Sequence, residues 1–344
     1  MTHLPAAEQA LDRALERIHL TSATWRGNLA NHAPMAVDAL VELSRADAIP
    51  SFFEAYGPNL EPDAPKPPRR LDDWTVHLGE RAAAPRLTAH FEALLVDAPI
   101  ARVLNDVLPV LMYGVLGGSL HGLIRLGHAM AAFERHDTPF RRREVAHALG
   151  YWASEHLALE GSIGAEPRIG AADALAALSP MPDSLRVEGI ITDRAAAAAN
   201  SPVFHREIAA IDLGGPVEAT LDALLRAAAT WLVEEPASQF TYLHAITGTS
   251  ALRGLLSYFT DDAARREGLG HYVHALAAIR AMSRRPPIGR SVQPAPLLQL
   301  IEVAVASCDD HKIKLAAAVS RENVRLGDGR LLAAASAFIT SAGA

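Results

Sequence analysis

The chain has 344 residues, half of them apolar and 21% charged, with a formal net charge of −7 and a single cysteine, Cys308. That composition describes an ordinary globular chain with a sizeable core, and it excludes disorder, an internal disulfide, a thiolate cluster and a CxxC redox pair. The basic residues form no stripe, since Arg69-Arg70 and Arg284-Arg285 sit beside prolines, so no nucleic-acid partner is expected.

Helical spacing dominates, and no alternating run competes with it. In chain order it predicts helices over 6–19, 35–46, 86–96, 103–133 with a Gly-rich break at 114–118, 140–158, 217–233, 239–260, 262–283, 296–320 and 329–341. Pro34 suits a first helical turn after Asn31, and Asp261-Asp262 suits a helix start before Ala263. Strand-like stretches such as 185–191 are isolated. Two loop-rich stretches interrupt the helices, 57–74 and 161–216, and the second is a domain linker, an active-site cover or a region of short helices. The expected fold is all-α, one large helical domain built from an N-terminal half (about 1–160) and a C-terminal half (about 217–344) around a central metal and substrate pocket. The N-terminus lacks the basic-then-apolar order of a signal peptide. The most hydrophobic stretch, 108–133, carries His121, Arg125 and His128, so no membrane span and a cytoplasmic setting are expected.

Fifteen histidines with one cysteine make nitrogen ligation the richest metal chemistry open to the chain. Four of them sit in apolar segments beside small residues: His32, His121, His244 and His311. A helix starting after His32 opposes its protonation, and the neutral imidazole is the form that binds metal. His121 and His128 lie two turns apart, so one binds while the other lines the pocket or supports the ligands. Arg125, one turn from each, is placed to hold a phenolate or enolate, or else to serve as a buried ion-pair partner. Lys314 stands three residues after His311 in an otherwise apolar turn. Burial would push such a lysine toward its neutral form, usable as a base, an imine former or, after CO2 addition, a carbamate ligand.

Other templates fail. The 114–119 segment lacks GxGxxG and a Walker lysine, Glu144-x-x-His147 has no second copy to make a di-iron bundle, and no Gly-x-Ser-x-Gly occurs. Cys308 reads as a structural cysteine before it reads as a haem thiolate.

In their order these segments resemble the questin oxidase-like family, whose fungal members oxidatively cleave anthraquinone-type rings. The likeness rests on Asn31-His32 with Met35, Ala39-Leu40 and Tyr56, on His121-Gly-Leu-Ile-Arg125 with Gly127-His128-Ala129, on His244-Ala-Ile-Thr247, and on Asp310-His311 with Ile313-Lys314. Arg125 and His128 are more similar to the bacterial branch. Some members are described as NADPH-dependent Baeyer–Villiger-type oxidases, and one is a non-haem iron oxygenase with four histidines and a carboxylated lysine. The resemblance implies His32, His121, His244 and His311 as metal ligands, Lys314 as the carbamate and Fe(II) as the metal; Arg125 and His128, from their place on the same helix face, are the expected catalytic residues. It also implies O2 and a polycyclic aromatic, polyketide-like substrate. An apolar chamber bordered by Arg125, His128 and Tyr56 or Trp25 would suit that substrate. Two other readings stay open: an NADPH- or flavin-dependent oxidase of the same substrates, and a non-catalytic helical protein that binds a small molecule. Oligomeric state is not legible in the sequence.

Overall fold

The computed structural model describes residues 4–26, 29–63 and 69–341. His3 and part of the proline-rich 57–74 stretch lie outside them. The fold is all-α. In chain order the helices are α1 (Ala6–Ile18), α2 (Ala33–Glu42), α3 (Ile49–Tyr56), α4 (Ala84–Asp97), α5 (Ile100–Tyr113), α6 (His121–Arg135), α7 (Pro139–Glu155) and α8 (Ala171–Ala177). They continue with α9 (Ile191–Ala199), α10 (Pro202–Ala209), α11 (Val217–Glu234), α12 (Gln239–Leu255), α13 (Asp262–Ser283), α14 (Leu297–Ser307), α15 (Asp310–Leu326) and α16 (Arg330–Ile339). Sheet is confined, among the described residues, to two pairs of two-residue strands: β1 (Thr24–Trp25) antiparallel to β2 (Leu29–Ala30), and β3 (Ile169–Gly170) parallel to β4 (Ile211–Asp212).

The sequence places α13 at its observed ends because the Asp261 carboxylate accepts a hydrogen bond from the Ala264 N–H, a local capping signal. Two expectations need correction. The helix expected over 296–320 is two helices, broken where Cys308 takes a left-handed backbone (φ 51°) and Asp309 caps α15 by accepting from the N–H groups of His311 and Lys312. The 161–216 stretch is a region of short helices, α8, α9 and α10, too short for apolar periodicity to declare them, and the strand-like 185–191 run ends in the start of α9.

Four helices form a closed ring of neighbours: α2 packs on α6, α6 on α12, α12 on α15, and α15 back on α2. Every residue of α2 from Ala33 to Val41 is buried, which fits a helix enclosed by others rather than one facing solvent.

Candidate metal centre

Each helix of the ring carries one of the four apolar-segment histidines near its N-terminal end. His32 is the N-cap of α2, His121 the first residue of α6, His244 lies in the second turn of α12, and His311 is the second residue of α15. The entry to α6 is strained: Gly118, Ser119 and Leu120 all have positive φ (56°, 58° and 70°), unusual for the two side-chain-bearing residues. That turn aims the Gly118 carbonyl back at His121, whose Nδ1–H donates to it over 2.6 Å. Gly122 follows because the Trp152 ring of α7 occupies the place where a Cβ would stand.

The structure brings the four imidazoles together. Ring centroids are 4.5 Å apart for His32 and His121, 4.7 Å for His32 and His311, 4.8 Å for His121 and His244, and 5.6 Å for His244 and His311. One ring nitrogen from each of His32, His121 and His311 lies within 4.8 Å of the other two.

Tautomers follow from the partners. Nδ1 of His121 and His244 faces the backbone carbonyls of Gly118 and Phe240, at 2.6 and 2.8 Å, and a carbonyl can only accept. Nδ1 of His32 is 2.5 Å from Asp310 Oδ2, and Nδ1 of His311 is 3.1 Å from the same oxygen. Every Nδ1 therefore carries its proton toward an acceptor, leaving each Nε2 as a lone pair. The Nε2 atoms of His32 and His311 are buried without a hydrogen-bond partner, and those of His121 and His244 face each other at 3.3 Å. Two nitrogens bound to one ion at about 2.1 Å, at a tetrahedral angle, lie about 3.4 Å apart. Fixing one ring nitrogen on a carbonyl or carboxylate while the other points inward is how proteins orient imidazole ligands.

Protonation does not relieve these lone pairs. Burial lowers the pKa of all four imidazoles, His244 to about 3, with Lys314 and the neighbouring imidazoles pressing the same way. His32, His121 and His311 meet within ligand distance, and His244 adjoins them through His121; such a set of neutral imidazoles suits a first-row transition metal rather than Mg2+ or Ca2+.

Lys314 is buried beside this set, its Nζ 3.3 Å from Asp310 Oδ2, while Lys312 points away to the Ser341 carbonyl. Burial lowers the Lys314 pKa and Asp310 opposes the shift. Asp310, not singled out as a site residue from sequence, is the hub of the cluster. It touches His32, His311 and Lys314, and despite burial these neighbours hold its carboxyl well below the usual range. Its position four residues before Lys314 on one helix face was the available signal. Phe240 was also missed: its ring lies 4.6 Å from His311 and 5.4 Å from His244 and is half exposed, marking the side where the cluster nears the surface.

Arg125 takes the ion-pair alternative rather than the substrate-holding one, and His128 is likewise paired with a carboxylate. Arg125 is buried in a two-pronged ion pair with Glu144, at 2.7 and 3.1 Å, and His128 Nδ1 lies 2.8 Å from Asp38, which also binds Arg135 at 2.6 Å. The gap bordered by Arg125, His128, Asp38 and Glu144 is too tight for a water molecule. Tyr56 stacks on Phe52, and its oxygen accepts the His32 backbone N–H at 2.7 Å, so it holds the His32 backbone in place. Trp25 lies under the Arg26 guanidinium, 4.8 Å from it. No aromatic chamber joins these residues: Arg125 and His128 are held in ion pairs, and the cavity of about 210 Å3 that His128 does border is lined by Thr247, Ser250, Arg253 and Arg321 instead.

No family model matches the chain, and no curated protein matches it.

Proposed function

We propose that the chain is a non-haem oxygenase that holds one iron ion through His32, His121, His244 and His311, with a carboxylated Lys314 as the anionic ligand. The observation that carries this reading is the cluster of His32, His121 and His311, one ring nitrogen of each within 4.8 Å of the others, with His244 Nε2 3.3 Å from His121 Nε2 and all four Nδ1 atoms facing acceptors. Bound Fe(II) would supply the capacity to activate O2, which no side chain has. Lys314 must lose its proton before it can take up CO2; burial favours the neutral amine, and the carbamate N–H would still donate to Asp310. Asp310 holds His32 and His311 in their inward-facing tautomers. The resemblance to ring-cleaving oxygenases and the exposed Phe240 ring together favour a flat phenolic, polyketide-like substrate, met at the Phe240 edge rather than in an internal chamber.

The tight packing around Arg125 favours a second reading, a metal-binding protein without turnover on such rings. Oxygen uptake by the iron-loaded chain with a hydroxyanthraquinone, with and without NADPH, separates the two. The oxygenase reading expects substrate-dependent uptake that rises when bicarbonate is present during loading. It also expects Lys314→Ala to lose metal and uptake together. Full iron occupancy and turnover in that variant would remove the carbamate, and iron retention with no uptake from any flat phenol would leave the non-catalytic reading.

A further inference from the structure

Away from the four-helix ring, His271 and His274 of α13 line a cavity of about 240 Å3, shared with the end of α5 and the 157–163 segment. Val115, Leu116, Leu157, Leu159, Ile163 and Ala275 supply most of its wall, and no Asp, Glu, Lys or Arg contributes to it. The wall is fixed before anything binds: the Leu157 N–H donates to the Gly114 carbonyl at 3.1 Å, and the Gly164 N–H donates to the Ile208 carbonyl at 3.0 Å. At the rim the exposed Tyr113 ring meets His271 edge-on, with centroids 5.3 Å apart.

His274 is the polar group that this wall leaves unanswered. It is only 6% exposed and lines the cavity, yet neither of its ring nitrogens meets a hydrogen-bond partner among the described residues. Nε2 is sealed from solvent, which leaves Nδ1 as the nitrogen open to the cavity. The stacked Phe204 ring, 5.8 Å away, covers one face of the imidazole and offers nothing polar. A neutral imidazole carries one N–H and one lone pair, so a donor and an acceptor both go unpaired here, at a cost comparable to a lost hydrogen bond each. Protonation is no remedy, because burial lowers the His274 pKa to about 4, with His271 and His205 pressing the same way. A metal is none either: among the described residues, no group of ligand atoms close enough to share an ion includes these three histidines. His271 is likewise held below its ordinary range by burial, and its Nε2 lies 4.0 Å from Glu267, too far for a hydrogen bond.

We infer that this cavity binds an uncharged, mostly apolar molecule carrying one hydroxyl, of the size of a substituted single ring, with the hydroxyl on His274 Nδ1. The ligand class follows from the wall. An apolar cavity of about 150 Å3 holds a benzene ring, so this one has room for a ring and a substituent. A hydroxyl both donates and accepts, and therefore matches Nδ1 in either tautomer. A carboxylate or phosphate would be buried here without a cation, and an ammonium without an anion. Nothing in this site depends on iron at the four-helix centre.

Titration of the full chain, carrying 15N-labelled histidines, with 4-methylphenol, toluene and 4-methylbenzoate tests it through the His271 and His274 ring signals in NMR. 4-Methylphenol should move both signals and bind about 5-fold more tightly than toluene, the worth of one neutral hydrogen bond. 4-Methylbenzoate should move neither. In His274→Leu, read through His271, the phenol should lose its advantage and bind within about 2-fold of toluene. Leu159→Trp, at the half-buried rim, keeps the test decisive if His274→Leu fails to fold: its indole should fill the cavity and weaken both ligands by more than about 10-fold. Ring signals unmoved by 4-methylphenol, a phenol preference that survives His274→Leu, a benzoate held as well as the phenol, or undiminished binding in Leu159→Trp would overturn the assignment.

Discussion

His121→Ala should cost the chain its principal metal ion and any turnover that depends on it. This imidazole stacks on His32, faces His244 Nε2 at 3.3 Å and is aimed by a left-handed turn. Two neutral nitrogens presenting lone pairs to each other in a buried setting repel, and a shared cation turns that repulsion into attraction. Removal of one ligand should weaken the metal more than the about 10–100-fold typical of losing a supporting hydrogen bond. The readout is thermal unfolding with and without Fe(II) or Co2+: bound metal raises the midpoint of the wild type in proportion to the logarithm of its excess over the dissociation constant. That rise should vanish in the variant. An undiminished rise in the variant would make His121 a core histidine and nothing more.

Arg125→Leu should destabilise the fold by about 3–5 kcal/mol, the usual cost of leaving one partner of a buried ion pair uncompensated. Glu144 is then left buried with His19 as its remaining polar contact. The sign with pH follows from Glu144, whose pKa falls from 4.5 to about 2 on folding. Its pairing stabilises the native state above about pH 4.5 and that contribution is lost as pH falls toward 2. Since the variant lacks most of it, the gap between wild type and variant should be widest near neutrality and narrow in acid. Adding Glu144→Leu should recover much of the loss, because a buried pair replaced by apolar groups is often neutral or stabilising. Chemical denaturation across pH reads all three. A gap below about 1 kcal/mol at pH 7 would show Arg125 to be free for another task, such as holding a phenolate. If Arg125 is structural, any effect on turnover should be equal for phenolic substrates and neutral aromatic analogues.

The all-α class and most long helices were legible because amphipathic periodicity and capping are local. The four histidines were singled out by a similar cue, polar rings set among apolar and small residues, and the structure places them in one cluster. The role of Arg125 was not legible: the same buried guanidinium serves a substrate or a carboxylate, and its partner Glu144 lies on another helix. The break before α15 was missed because Cys308 has no side-chain signature for a left-handed conformation, although Asp309 is an ordinary cap. The discarded Glu144-x-x-His147 half-motif illustrates the same limit, since the imidazole beside it comes from His19, 125 residues before Glu144.

X-ray absorption on the untagged chain, loaded anaerobically with Fe(II) and desalted, tests the central claim most directly. Iron should be retained near one equivalent. Its nitrogen and oxygen shell should lie near 2.1 Å, with the outer-shell scattering of several imidazoles. Iron lost on desalting, or a shell without imidazole scattering, would contradict a metal centre built from His32, His121, His244 and His311.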